Sequence, residues 1–263
     1  MQNDAALKFR QAKELVQFVL LTFGITWSLQ VPGVLAQAGL LPGGTEIYLP
    51  FVMLGVLGPM SAAWILTRRT RGKAGVKQLF QSLYTRRPAL PWLLLALILP
   101  GLALTVPVLI ARLVGYELPA FYPPKVLGAV VVALIISLGE EVGWRGYALP
   151  RLADTVGRVR GSLILGVIWA IWHIPMFIGL AVPLDTFPLM LGYFAAGSIV
   201  FSWLYFRTAC SLLIAVLAHV GAHLNNSHQA LPQDTMPLIL HTVGLSALAL
   251  ALVVFDPKIW RPS

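Results

Sequence analysis

The chain is built of long apolar blocks separated by short polar ones, and that alternation fixes the solvent in which it can fold. A run of about 18 or more apolar residues is what a helix needs to cross the hydrocarbon of a bilayer. Eight such segments can be drawn, at residues 15–36, 47–67, 91–114, 126–149, 161–180, 187–207, 209–228 and 235–255. Charged residues make up only 11% of the chain, against about 25% in soluble domains, so a water-facing surface cannot be dressed at the usual rate. Backbone groups in lipid must be paired within the segment, so the segments are predicted helices. They do not alternate with period two, which excludes a β-barrel. The expected fold is all-α: a polytopic transmembrane bundle of about eight spans, forming a single integral-membrane domain over 1–263.

The formal charge of +9 has an ordinary explanation in such a fold. With a cytoplasmic N-terminus, every lysine and arginine except Arg112 and Lys125 falls on the inner side, in tails, loops or span ends. That bias obeys the positive-inside rule in one direction only, so both termini are predicted cytoplasmic, in the cell (inner) membrane. No basic stripe interleaves with aromatics on a polar domain, so nucleic acid is not an expected partner; membrane lipid is. The single cysteine, Cys210, excludes an internal disulfide and a multi-cysteine metal site. Ala36-Gln37-Ala38 imitates a signal-peptide cleavage site, but the apolar stretch before it exceeds the usual signal core, and an uncleaved first span is expected.

One polar stretch has a pattern of its own. In AGVKQLFQSLYTRR, Val76, Leu79, Phe80 and Leu83 share one helical face, and Lys77, Gln78, Gln81 and Ser82 share another. The pattern predicts a short amphipathic helix, either lying at the inner interface or packed on the bundle.

Ionisable residues within spans are costly and by default raise a functional hypothesis. Of the acidic residues only Glu140 and Glu141 lie well inside an apolar segment. His173 lies in the fifth span, His219 and His223 in the seventh, His228 at its outer end and His241 in the eighth. At about 1.5 Å per residue, Glu140, His173, His219 and His223 come to rest roughly 15–21 Å from the same side of the membrane. Unpaired there, they would be hard to tolerate. His228 and His241 are read as helix-packing hydrogen bonders, and Trp144, Trp169 and Trp172 as packing and interface residues.

Helical spacing assigns roles. Glu141 and Arg145 are four residues apart and can pair on one face, and arginine cannot shed its charge. Glu140 is rotated about 100° from Glu141 and can meet other partners. His219 and His223 also share a face, the spacing with which two histidines flank a substrate or grip a metal. Two chemistries use such a set. In the first, Glu140 is a general base toward water, assisted by His173, while His219 and His223 donate hydrogen bonds to an oxyanion. In the second, zinc is the cofactor, with His173, His219, His223 and Glu140 as candidate ligands, as in a metalloprotease. The H-E-x-x-H zinc signature is absent; HVGAH has two histidines without the glutamate.

Three segments together resemble a known family. EEVGWR matches E-E-x-x-x-R. WAIWH resembles F-x-x-x-H, with Trp169 in the aromatic place. SLLIAVLAHVGAH resembles the third motif, in which a polar residue, usually asparagine, follows the histidine by four. These are, in order, the motifs of the CAAX-protease and bacteriocin-processing (Abi) family, the type II CAAX prenyl endopeptidase-like proteins. The resemblance covers about the last half of the chain, from the fourth span to the seventh. It implies an intramembrane endopeptidase whose substrate is a membrane-associated peptide or lipidated protein, with some bacterial members tied to bacteriocin immunity. It implies Glu140 as the catalytic glutamate, Glu141 and Arg145 as the rest of the first motif, and His173 and His219 as the second and third histidines. His223 stands where the family usually has asparagine, which puts an oxyanion role there in question and strengthens the case for a metal ligand.

Two other classes fit a chain like this. A non-enzymatic immunity or scaffold protein would bind a peptide or partner and be indifferent to Glu140→Gln. A proton-coupled transporter would use the same buried groups as a relay, but no broken half-helices recur in matching halves.

Overall fold

The computed structural model describes residues 2–42, 45–117, 126–179, 181–225 and 235–261. Lys125, Asn226 and His228 lie outside the described residues. Among the described residues there is no strand. The helices are α1 (Gln2–Gln37), α2 (Thr45–Gly55), α3 (Gly58–Gln81), α4 (Leu90–Leu113), α5 (Val126–Gly143), α6 (Leu149–Val156), α7 (Arg158–Trp172), α8 (Ile174–Gly179), α9 (Phe187–Arg207), α10 (Leu212–Asn225) and α11 (Thr235–Phe255). A π-helical turn, Trp144–Ala148, joins α5 to α6.

The molecule is apolar outside and partly polar within. Leu20, Leu94, Ile98, Val131, Leu250 and Val254 are exposed on α1, α4, α5 and α11. Thr22, Thr26, Ser137, Ser198 and Ser202 are buried, with the two glutamates and Arg145. A water-soluble bundle has the reverse arrangement; here lipid can wet the long side chains, and polar groups can be paired only inside.

Among the described residues, each apolar block of the sequence is largely helix. By length and composition α1, α4, α9 and α11 can each cross a membrane, and α2 with α3 makes a fifth span bent by 45°. The remaining blocks are interrupted where the chemistry sits. In the fourth, the π-turn follows Gly143 and α6 runs on from it. The fifth stops at His173, because Pro175 cannot continue a helix interior but fits the first turn of the next one, α8. The seventh, α10, is only 14 residues long.

Two backbone features set the site's frame. Gly139 and Gly143 lie four apart on α5 and let its backbone press against Val56, Leu57 and Pro59 at the bend between α2 and α3; a Cβ on Gly143 would stand 2.5 Å from Pro59 backbone atoms. Gly72, at φ 64° and ψ −161°, breaks α3 and re-aims its last turns. Those turns are the amphipathic stretch foreseen from the sequence. Leu79, Phe80 and Leu83 are packed against the core, so the helix is seated on the bundle rather than free at the interface.

Candidate active site

α5 and the π-turn carry the acidic pair and its arginine into the core. Glu140, Glu141 and Arg145 are all buried, at 2%, 0% and 0% exposure, so each must be paired by protein. Arg145 Nη1 donates to Glu141 Oε1 at 2.8 Å, the expected pairing four residues apart. Arg145 Nη2 lies 3.4 Å from Ser198 Oγ, and the guanidinium lies 4.9 Å from the Trp169 ring centroid and 5.1 Å from that of Phe201. The π-turn widens the helix where this bulky cation enters it, and such turns recur at functional sites.

The neighbouring carboxylate has a separate partner. Trp169 Nε1 donates to Glu140 Oε2 at 2.6 Å. Trp169 thus does more than the packing expected of it. An aromatic residue four before a histidine is ambiguous in sequence, and only its indole N–H, which must find an acceptor when buried, hints at this use.

The histidines are oriented by their Nδ1 atoms. His173 Nδ1 is 2.8 Å from the carbonyl oxygen of Trp169, which can only accept; that bond puts the proton on Nδ1 and leaves Nε2 with a lone pair. His219 Nδ1 is 2.9 Å from Glu141 Oε1, the oxygen that also receives Arg145. His219 is therefore held by Glu141 and not by Glu140. His223 stacks parallel on His219, with centroids 4.8 Å apart and planes within 9°. Its own side chain is exposed at the cavity rim. His173 is locked between Trp172, Phe177 and Phe194.

These groups face one void. A cavity of about 120 Å³ is lined by Glu140, Trp169, His173, His219 and His223, with Phe194 and Phe201 among its apolar walls. It has room for several waters. Glu141 and Arg145 do not line it, and neither does His241, buried on α11. The five groups nearest the void bring together a carboxylate, an indole donor and three imidazoles, enough to hold a water and take a proton from it.

A metal asks for more. The outer hydrogen bonds of His173 and His219, to a carbonyl and a carboxylate, are those metal-bound histidines use. Yet among the described residues no three His, Cys, Asp or Glu side chains converge as an ion would require, and Glu140 is engaged by Trp169. The residues as arranged do not fit zinc.

A family model described as type II CAAX prenyl endopeptidase Rce1-like matches residues 122–225, the stretch from the start of α5 to the end of α10. The chain is also 24% identical over 265 residues to CAAX prenyl protease 2 of Methanococcus maripaludis, covering 92% of this chain and 94% of that one. The matched stretch contains all three motifs, the π-turn and every histidine that lines the cavity, and over that stretch the chain is similar to the type II CAAX prenyl endopeptidase Rce1-like family.

Proposed function

We propose that this protein is an intramembrane endopeptidase that hydrolyses a peptide bond in a prenylated or otherwise membrane-associated substrate, with Glu140 as the base that activates water. The observation that carries the reading is the shared cavity of Glu140, His173, His219 and His223, from which the Glu141–Arg145 pair is set apart. The family match and the relative named as a CAAX prenyl protease support the substrate class.

In this reading, water sits in the cavity against the Glu140 carboxylate and His173 Nε2. Glu140 takes a proton as the water oxygen attacks the scissile carbonyl carbon. His219, oriented by Glu141, faces the oxyanion from the cavity wall and stabilises it there. The intermediate collapses, the C–N bond breaks, and Glu140 returns its proton to the leaving amine. His223, stacked on His219 at the rim, positions substrate. No step uses a metal. The cell membrane as location, with both termini cytoplasmic, completes the proposal; the distribution of lysine and arginine supports it.

The test is cleavage of a farnesylated peptide by the purified full-length chain. Glu140→Gln should lower the rate by about 10²–10⁴-fold without changing the melting profile. A strong chelator should leave the parental rate unchanged. Retained cleavage by Glu140→Gln would refute its role, and loss with chelator restored by zinc would refute the metal-free step.

A further inference from the structure

A second cavity, of about 390 Å³, lies between the last turns of α3, the Ser82–Arg86 stretch, the π-turn and the bend joining α9 to α10. Arg71, Arg86 and Arg151 line it, and no aspartate or glutamate does. Arg151 is buried, its Nε bonded to Glu14 Oε2 at 3.0 Å and its Nη1 donating to the Tyr147 carbonyl at 2.8 Å. Its guanidinium lies 3.6 Å from the Tyr147 ring centroid. Glu14 is the one carboxylate bonded to this guanidinium, and it stands outside the cavity wall.

A second observation points the same way. Tyr147 is 1% exposed, lines the cavity and lies within reach of the charges of Arg151, Glu14 and Arg71, two cationic and one anionic, yet its hydroxyl is buried without a hydrogen-bond partner. A buried hydroxyl left unpaired is costly, and a ligand oxygen would remove that cost. Gln78 and Ser82 add neutral polar groups on the wall. The break at Gly72 aims the following turns so that these residues and Arg71 face one hollow. Several guanidinium and hydroxyl donors around one hollow suit an anion with several acceptor oxygens, as phosphate has.

Position selects the source. The second half of α3, the stretch after it and the first turn of α7 carry Arg68, Arg69, Lys73, Lys77, Arg87, Arg158 and Arg160 as well. Basic loops gather at the leaflet face that holds anionic lipids. We propose that this cavity binds the phosphate of an anionic lipid headgroup, separately from the cavity of Glu140.

The experiment is native mass spectrometry of the full-length protein released from detergent, with dioleoyl phosphatidylglycerol or dioleoyl phosphatidylcholine added. The phosphatidylglycerol adduct should persist where phosphatidylcholine is lost. The Arg71→Gln/Arg86→Gln variant should weaken it by about tenfold or more, and Tyr147→Phe should weaken it by a smaller factor. Both arginines are exposed, so the variant should melt as the parent does. Displacement of phosphatidylglycerol by millimolar inorganic phosphate would support the anion site and assign it to soluble phosphate. Equal retention of both lipids, or undiminished retention by the variants, would overturn the proposal. So would arginine-dependent binding of a peptide with a free C-terminal carboxylate, but not of its amide, in the absence of any lipid effect.

Discussion

Adding one methyl group at Gly143 should be enough to disable the site. The Cβ of an alanine there would stand 2.5 Å from the carbonyl carbon and oxygen of Pro59, where ordinary contact begins at 3.4 Å. Backbone atoms cannot swing aside, so α5 and α3 must part by about 1 Å, and overpacking of this kind costs about 1–3 kcal/mol. α5 carries Glu140 and Glu141, whose bonds to Trp169 and His219 are 2.6 and 2.9 Å long. A displacement of about 1 Å breaks both, and misplacing a reacting group that far costs on the order of 10²-fold in rate. The assay is thermal melting in detergent together with the initial rate on a farnesylated peptide. Gly128→Ala is the control, since its Cβ meets nothing within 4 Å on the same helix. Exchanging that glycine for alanine should leave melting unchanged or raise it, by up to about 1 kcal/mol of stability. Parental melting and rate in Gly143→Ala would refute the idea that this close approach positions the acidic pair.

Other substitutions separate the roles further. Arg145→Leu leaves Glu141 buried without its cationic counter-ion and should cost about 3–5 kcal/mol, read as lost yield or a lowered melting point, while Glu141→Gln with Arg145→Leu should recover part of it. Trp169→Phe keeps the ring but removes the N–H on Glu140; the rate should fall by about tenfold or more with near-parental melting, and an unchanged rate would make that bond incidental. His223→Asn should retain cleavage and His223→Ala should reduce it, because only the first keeps a hydrogen-bonding group at the rim; equal rates would reduce His223 to a stacking residue.

Much of this was legible in the sequence because lipid makes polar residues conspicuous. The Glu141–Arg145 pair followed from a four-residue spacing, and the shared layer of Glu140, His173 and His219 from counting residues along apolar blocks. What escaped notice was set by contacts between helices, which periodicity does not encode. Nothing in HVGAH says that His219 turns to Glu141 rather than Glu140. The indole bond from Trp169 depends on how α7 is rotated against α5. One signal was present and unread: GEEVG places small residues four apart on either side of the two glutamates, the pattern of a close helix approach. The eight blocks likewise located the helices without revealing that the fifth would stop at His173, a consequence of Pro175 two residues on.

The adjacency of the two glutamates is itself intelligible from these contacts. A carboxylate free to act as a base must be buried near its substrate, yet a buried charge without partners destabilises the fold. One glutamate cannot meet both demands if its oxygens are consumed by an arginine. A step of about 100° along the helix divides the task. Glu141 anchors Arg145 and orients His219 through the same oxygen, away from the void. Glu140 takes the neutral indole donor of Trp169 and stays at the cavity wall. Exchanging the two functions would require α5 to turn by that same angle, which the backbone contact at Gly139 and Gly143 prevents. On this view Glu141→Gln and Glu140→Gln should fail differently, the first by loosening the fold and the second in the rate alone, and a melting loss confined to Glu140→Gln would reverse the assignment.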